Sequence, residues 1–244
     1  MFETFKVPGL FIANSAILVL YAYGRVTGLV LDSGDGVTSV SPVFEGYLVP
    51  EGKQTLPVGG RDLNDYLVRL LDDAIDREMA HAIKEQICCV SLDGSSCSSD
   101  TGAYRMPDGK EITLNDQRYK VSDPLFQPTI LGLNSQGVHQ MVHHAIAKCE
   151  MDTKIKLYSN ILLAGGSTMF PGFEQRLQKE VSSLAPTDTL RECTHVVADK
   201  NRALAAWIGG SIFACQPSFN DQLCVTKKEY QEMGVSALER KFPQ

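Results

Sequence analysis

Two short turns rich in glycine contain the residues best suited to chemistry on an anion. The first, DSGDG, occupies residues 32–36, and the second, AGGST, occupies residues 164–168. Glycine lets backbone N–H groups approach an anion closely, and a carboxylate beside such a turn can hold a metal ion's water or a ribose hydroxyl. Each turn alone is more typical of an ordinary hairpin or of the start of a helix. Two of them, far apart and each following an apolar run, favour a nucleotide-binding cleft.

The remaining reactive side chains indicate no other chemistry. His139 and His143 share a helix face at i,i+4, but no HExxH motif accompanies them, so we predict a surface pair and not a metal site. The spacing of serine, histidine and aspartate supports no catalytic triad. The seven cysteines form no pair of CxxC motifs, which favours reduced thiols over zinc.

The patterning of apolar residues predicts an α/β fold in which strands and helices alternate. Strands are expected at 27–31, 37–43 and 161–163. Helices are expected at 61–72, 78–90, 135–149 (with Ser135 as the N-cap), from Pro171 onward (with Phe173, Leu177, Val181 and Leu184 facing the core) and at 206–215. We also expect a polar loop at 93–101 and a hairpin turn at 107–109.

Charge and hydropathy exclude two classes of partner. The 244 residues carry a net charge of -6 and no basic run, so we predict no nucleic-acid binding. The apolar segment 10–23 is shorter than the ~20 residues that span a bilayer, so we predict a buried element and no membrane association.

Several motifs, in order along the chain, resemble actin and the actin-like proteins. They are MFETFKVPGLFIA, VLYAYGRVTGLVLDSGDGVT, FEGYLVP, GGRDLNDYL, IKEQICCVSLD, LFQPTILG, LLAGGSTMFPGFEQRLQKE and WIGGSIFA. LDSGDGVT resembles the family's second phosphate turn, and GGSTMFPG resembles its adenosine turn. The resemblance implies an actin-like ATPase-domain fold of two ribonuclease-H-like halves around an ATP cleft, here N-terminally truncated by roughly the first third.

The resemblance also implies a set of site residues for ATP with Mg²⁺. It places Asp32 near the waters of the metal. The other positions that would surround phosphate, ribose and adenine are Gly34, Asp35, Gly36, Val37, Gly60, Lys84, Glu85, Gly166, Met169 and Phe170.

Departures from the family pattern argue against catalysis, and the first is the absence of the family's first phosphate turn, which belongs to the missing first third. The family's water-orienting glutamine falls at Ser15, and its companion histidine falls at Ser39. Hydrolysis of a γ-phosphate depends mainly on positioning water and stabilising charge, so this loss predicts a protein that is not an enzyme. The adenine-flanking lysine falls at Ala203, where the neighbouring Arg202 is a candidate substitute.

The resemblance implies five segments. These are a remnant of the first half at 1–21, the core of the second half at 22–58 and 131–205, an inserted outer subdomain at 59–130, and C-terminal helices of the first half at 206–244. Without the family's first strands, the apolar faces of segment 11–21 and of the helices after 206 are expected to be partly uncovered. The family's partner groove is partly kept in Tyr21, Ile212, Phe213 and Phe219, with Gln216 in place of a leucine. The alternative is that these residues simply form the core of the last helices.

The function implied is that of a structural or scaffold protein of the cytoskeleton. It would act in the cytoplasm, with the nucleus as second choice, through protein partners such as actin or actin-binding proteins, without forming actin-type filaments itself. The alternative is an ATP-binding module that uses the nucleotide as a structural ligand or switch. An ATPase or phosphotransferase on the same fold fits the departures less well, and a truncated product with little function of its own stays open.

Overall fold

The computed structural model describes residues 1–92, 102–106, 109–217, 219 and 223–242. The strands in these ranges are β1 (Gly9–Leu10), β2 (Gly28–Ser33), β3 (Thr38–Phe44), β4 (Tyr47–Leu48), β5 (Gln54–Leu56), β6 (Gly102–Arg105), β7 (Glu111–Leu114), β8 (Ile161–Ala164), β9 (Val196–Val197) and β10 (Val225–Thr226). The helices are α1 (Ser15–Ala22), α2 (Gly60–Leu70), α3 (Arg77–Ile87), α4 (Gln117–Lys120), α5 (Asp123–Phe126), α6 (Val138–Ala147), α7 (Met151–Tyr158), α8 (Phe173–Leu184), α9 (Asp188–Cys193), α10 (Ala205–Ala214), α11 (Lys227–Met233) and α12 (Ser236–Lys241). Within these ranges, no helix combines the length and the apolar composition needed to cross a membrane.

A mixed sheet organises the chain. Its strands run in the order β4-β3-β2-β8-β9, and β5 also pairs with β3. β2 and β3 are antiparallel, whereas β2 and β8 are parallel and aligned from Leu29 opposite Ile161 to Asp32 opposite Ala164. Both glycine turns follow the carboxyl ends of these parallel neighbours. They therefore meet at the same edge of the sheet, where ligands of α/β proteins usually bind.

Helices cover both faces of this sheet, because β2 and β8 alternate their apolar side chains between two cores. Leu29, Leu31 and Leu163 enter the larger core, which helices α2, α3, α6, α7 and α8 complete. Val30 and Leu162 enter the smaller core beneath α1 and α10. The predicted α/β class is confirmed.

Helices α1 and α10 cross in close contact. A Cβ built at Gly209 of α10 would lie 1.7 Å from the carbonyl oxygen of Leu18 in α1, so only a glycine fits there. Tyr23 closes the same side of the sheet, since its hydroxyl donates to the Leu163 carbonyl at 2.8 Å and accepts from the Asp199 N–H at 3.0 Å.

The two ends of the chain pack together in a third, small core. β1 pairs with β10 in antiparallel register, and Phe2 stacks on Tyr230 with ring centroids 4.7 Å apart. Phe2, Val225 and Ala237 are buried at this contact. The segments assigned by resemblance to one half of the fold, 1–21 and 206–244, thus touch each other here and at the α1–α10 crossing.

The structure shifts several predicted boundaries. β2 continues through Asp32 and Ser33, so the first turn begins only at Gly34, because the Ser33 hydroxyl bonds the Thr38 hydroxyl across the hairpin at 2.7 Å. The prediction of Ser135 as an N-cap is wrong, since α6 begins at Val138 after Gly137. Pro171 also does not open α8, which starts at Phe173 after Gly172 in the left-handed region (φ 86°).

Other predicted elements are found with smaller changes. α3 ends at Ile87 and not at residue 90, because the Val90 N–H leaves the helix to bond the Pro171 carbonyl at 2.8 Å. β6 and β7 form the predicted hairpin, whose residues 107–108 lie outside the described residues, as does the predicted polar loop at 93–101. Leu184, predicted to face the core of α8, is only half-buried.

Candidate functional site

A cavity of about 520 Å³ opens where the two glycine turns face helix α3. It is lined by Gly34, Asp35, Gly60, His81, Lys84, Glu85, Cys88, Gly166, Ser167, Met169, Phe170, Pro171 and Ala203. This volume lies within the ~300–1,000 Å³ typical of small-molecule sites. Its walls combine glycine backbone with charged and apolar side chains.

The two turns and the start of α2 are joined through the backbone of the first turn. The Gly34 carbonyl accepts from the Gly60 N–H and from the Ser167 hydroxyl, both at 2.9 Å. The Asp35 carbonyl accepts from the Arg61 N–H at 2.8 Å. The cavity walls are therefore preformed by hydrogen bonds between segments far apart in the chain.

Asp35 presents an exposed carboxylate at this edge. Its Oδ2 pairs with Nη2 of Arg61 at 2.8 Å, and both side chains are more than half exposed, at 63% and 61%. Exposed pairs of this kind contribute little to stability. The carboxylate is therefore available to a ligand at small cost to the fold.

Asp32 differs because its carboxylate is half-buried and has no hydrogen-bond or ion-pair partner in the described part of the chain. Burial raises the pKa of this carboxyl above its ordinary value. A Cβ at Gly165 (φ +86°) would lie 2.6 Å from Asp32 Oδ1 and 2.2 Å from the Ser33 carbonyl oxygen, so glycine is required beside it. Solvent water or a hydrated cation has access to this half-buried carboxylate.

The described residues support direct coordination of a metal ion by side chains less well than a water-mediated contact at Asp32. Among the described residues, no group of three or more histidine, cysteine, aspartate or glutamate side chains could hold a metal ion. The arrangement at Asp32 fits only the water-mediated role expected for it, since Mg²⁺ usually keeps several of its waters.

Lys84 is buried in the wall between α2 and α3. Its Nζ donates to the Gly60 carbonyl at 2.9 Å. Burial lowers the pKa of this ammonium, while the neighbouring Glu85 and Asp35 carboxylates oppose the shift. Glu85 itself is exposed and lies 3.4 Å from His81 Nε2. Lys84 thus holds the wall, and Glu85 remains open to a ligand hydroxyl.

Part of the cavity lining is apolar. Met169 is partly exposed and Phe170 is buried, and both lie after the second turn. Burial raises the pKa of the Cys88 thiol to about 12, so this side chain acts as a small neutral group. Such a surface suits the flat face of a base.

The structure brings together eight of the residues predicted for the site and leaves three apart. The eight are Gly34, Asp35, Gly60, Lys84, Glu85, Gly166, Met169 and Phe170. Asp32, Gly36 and Val37 do not line the cavity. Sequence reasoning missed His81 and Cys88. Their spacing from Glu85, at i−4 and i+3 in α3, was the available signal that all three share one helix face.

The candidate substitute for the adenine-flanking lysine is unsuitable. Arg202 does not line the cavity, and its guanidinium is committed elsewhere. Nε and Nη2 donate to the hydroxyl and carbonyl oxygens of Thr168 at 3.2 and 2.9 Å, and Nη1 donates to the Asp199 carbonyl at 3.0 Å. Ala203 alone faces the cavity at this point.

The two serines at the family's water-positioning places also lie outside the cavity lining. Ser15 is the exposed first residue of α1. Ser39 lies directly opposite Asp32 in the β2–β3 register. A serine hydroxyl is shorter than the side chains that it replaces, so neither serine is placed to hold water inside the cavity.

The prediction of a surface histidine pair is wrong, because both side chains are half-buried by neighbours on other helices. His143 Nδ1 bonds the Tyr158 hydroxyl at 2.9 Å. His139 Nε2 lies 3.4 Å from Glu180 Oε2.

An exposed apolar surface lies on the far side of the sheet from the larger core. On and beside α10, Leu204, Trp207 and Ile212 are 59%, 74% and 46% exposed. Leu204 and Trp207, three residues apart, share one side of the helix, and we call these two residues the α10 face. Ile212, five residues after Trp207, lies on another side of the helix. The expectation that the helix after residue 206 would be partly uncovered is confirmed.

A second feature of this region is the partly kept groove. The ring of Phe213 packs against Tyr21 and Phe11, each at 5.0 Å between centroids, and against Phe219 at 5.9 Å. The aromatic residues predicted for the groove therefore form one connected cluster.

The family model described as Actin matches residues 1–78 and 73–243 of the chain. The chain belongs to the actin family. The mixed sheet, the helices on both of its faces and the two glycine turns at one edge are consistent with an actin-like fold.

Proposed function

We propose that this actin-family chain is a structural protein that acts through protein contacts. The α10 face carries the proposal. A soluble protein rarely exposes large apolar side chains side by side unless they meet a partner. Trp207 at 74% exposure is the strongest single indication, because tryptophan is the residue type most enriched at the centres of protein interfaces.

Membership of the actin family suggests the partner. Actin itself, or a protein that binds actin, is the partner class that we propose, and the cytoskeleton of the cytoplasm is the proposed location, with the nucleus second. The groove cluster around Phe213, on the same helix, is a second surface that we propose for such a contact.

A fluorine label on Trp207 tests this proposal directly, because Trp207 is the only tryptophan of the chain. The chain is produced with 5-fluorotryptophan, and its ¹⁹F resonance is recorded while unlabelled monomeric actin is added. We expect the resonance to shift and broaden as the indole leaves water. Leu204→Ser should weaken the response, and Val235→Ser, at another exposed apolar position (61%), should not.

Two outcomes would count against the proposal. A resonance that does not change at saturating actin would exclude actin as the partner. A response that Leu204→Ser and Val235→Ser alter equally would show that the α10 face is not the contact.

A second candidate function is the binding of ATP as a structural ligand. The observation that favours it is the preformed cavity of about 520 Å³, in which a carboxylate, two glycine turns and apolar side chains converge. Gly34 and Gly166 would leave room for phosphate, Glu85 would bind the ribose, and Met169 and Phe170 would contact the base. Mg²⁺ would reach Asp32 through water and neutralise phosphate charge.

Thermal melting with and without millimolar Mg-ATP tests this second function. A ligand at ~100 times its Kd stabilises the folded state by about 2.7 kcal/mol, which raises the Tm of a chain of this size by roughly 5–10 °C. Asp35→Ala should lose most of the shift because the carboxylate is removed. Gly166→Val should lose it because nothing lies within 4 Å of a Cβ built there, so the side chain would fill cavity space.

The melting temperatures without ligand provide the control. Both variants should melt near the parent temperature, since Asp35 is exposed and the Cβ at Gly166 meets no atom. A Tm that Mg-ATP leaves unchanged in the parent would rule out this second function and leave the first untouched.

A further inference from the structure

We propose that protonation of His139 opens the loop 127–137, which makes this loop a pH-operated element of the fold. The loop leaves α5 at Phe126, forms a 3-10 turn at Pro128–Leu131 and returns to α6 at Gly137. Its two ends meet beside the ring of His139. This site lies outside the nucleotide cavity and is independent of the proposed function.

The two ends of the loop, at Phe126 and Gly137, pack closely together, and we call this contact the neck of the loop. A Cβ at Gly137 would lie 1.9 Å from the Phe126 carbonyl oxygen and 2.9 Å from Cε1 of His139. The return of the loop therefore presses its backbone against both residues. The imidazole stacks on the Phe126 ring with centroids 6.0 Å apart and planes 23° apart.

A charged network surrounds this neck. Arg176 lies on α8 and is only 2% exposed. Its guanidinium carbon lies 4.1 Å from the centroid of the Phe126 ring. It donates from Nη1 to Asp123 at 2.9 Å and from Nε to Glu180 at 3.0 Å. Phe126 thus contacts a permanent cation and an imidazole that can become one.

His139 holds this arrangement only in its neutral form. Nε2 faces Glu180 Oε2 at 3.4 Å, so in the neutral ring Nε2 carries the proton. Nδ1 is buried and has no hydrogen-bond partner in the described part of the chain. Protonation would bury an N–H donor without an acceptor and add a positive charge near Arg176, which is costly.

The groups that face His139 set the direction of the effect. From α8, Glu180 favours the imidazolium and Arg176 opposes it, and burial opposes it most, so the pKa of His139 in the closed loop lies below its ordinary value. Asp123 on α5 acts through Arg176. On α6 itself, His143 bonds Tyr158, and His144 Nδ1 bonds the Gln136 side chain of the loop at 2.7 Å.

The difference in the pKa of His139 between the open and closed forms determines how pH changes the loop equilibrium. A histidine exposed by loop opening titrates near 6.5, whereas the closed form binds its proton only at lower pH. Between these two values the open form holds more protons, so acid favours opening by up to tenfold per pH unit. Above about pH 6.5 both forms are neutral and the loop stays closed.

A 270 Å³ cavity beside the neck leaves space for the motion. Its walls include Thr129, Ser135 and Gln140 together with Arg176 and Glu180. Water can therefore reach the network as soon as the neck loosens. Opening would release Leu131 and Leu133, which pack against the larger core.

Hydrogen exchange read by mass spectrometry on the whole chain tests the proposal. The reporters are the loop amides of Ile130, Gly132 and Leu133, which bond to the carbonyls of Gln127, Thr129 and Pro128. After correction for intrinsic exchange, the opening of 127–137 should rise by up to about tenfold between pH 6.5 and 5.5. Peptides from β2 and β8 should show no such rise.

Variants assign the effect to one side chain. His139→Gln, which cannot take up a proton, should abolish the pH response. His143→Gln, one helical turn away and also half-buried, should keep it. A loop whose protection is independent of pH, or a response that persists in His139→Gln, would overturn the proposal.

A second measurement needs no variant. The ¹⁵N shifts of the His139 imidazole, recorded in the parent chain over the same pH range, report its protonation. We expect its midpoint to coincide with that of loop opening. Opening at a pH where His139 remains neutral would equally overturn the proposal.

Discussion

Gly209→Ala is expected to destabilise the chain by about 3 kcal/mol, at the upper end of the range for overpacked interiors. The added methyl group would lie 1.7 Å from the Leu18 carbonyl oxygen. Because the obstacle is helix backbone and no flexible side chain can move aside, α1 and α10 must separate. For a chain of this size the Tm should fall by roughly 6–12 °C.

The neighbouring glycine provides a matched control for this effect. A Cβ at Gly210 would lie 3.6 Å from Leu18 Cδ1, which is ordinary van der Waals contact. Alanine is favoured over glycine inside a helix by up to about 1 kcal/mol. Gly210→Ala should therefore melt at or slightly above the parent temperature, as measured by circular dichroism.

The contrast between the two variants matters for the proposed function. The α1–α10 crossing supports the smaller core, and the α10 face lies on the outer side of the same helix. Equal decreases in the melting temperature of Gly209→Ala and Gly210→Ala would mean that the crossing is not the close backbone contact described above.

The sheet and its glycine turns could be predicted because their signals are local. An apolar run that stops at glycine and aspartate, as at 28–36 and 161–166, predicts a buried strand and its end without any knowledge of the rest of the chain. The parallel register of β2 and β8 then brings both turns to one edge. The local pattern therefore identified the two turns of the cavity, whereas Gly60, Lys84, Glu85, Met169 and Phe170 were predicted only from the resemblance to the actin family.

The boundaries that were missed depend on contacts between distant segments. α3 stops early because the N–H groups of Cys89 and Val90 bond the carbonyls of Arg118 and Pro171. α6 starts late because the Gly137 backbone packs on Phe126. No periodicity within α3 or α6 carries this information.

Contacts between distant segments also set the direction of individual side chains. Arg202 stands next to the position of the family's lysine in the sequence, yet its guanidinium turns to Thr168 and Asp199. His139 fits a surface position by spacing, yet α8 and Phe126 enclose it. Proximity in sequence predicts the neighbourhood of a side chain but not its direction.

Turnover of ATP is where we expect the largest departure from actin. Ser15 and Ser39 stand where the family holds water, and neither lines the cavity. Positioned groups that handle a proton or orient water contribute about 10²–10⁴-fold to an enzymatic rate. Even if the cavity holds Mg-ATP, we expect hydrolysis to be at least about 100-fold slower than in actin.

Single-turnover hydrolysis of Mg-ATP, with the chain in excess over nucleotide and actin filaments as the reference, tests most directly whether this is a structural protein and not an ATPase. Excess protein removes weak binding as an explanation for a low rate. Ser15→Gln combined with Ser39→His, which restores both family side chains, provides the matched variant. We predict phosphate release far below that of actin from the parent chain and a faster rate from the double variant. A parent rate comparable to that of actin would contradict the account.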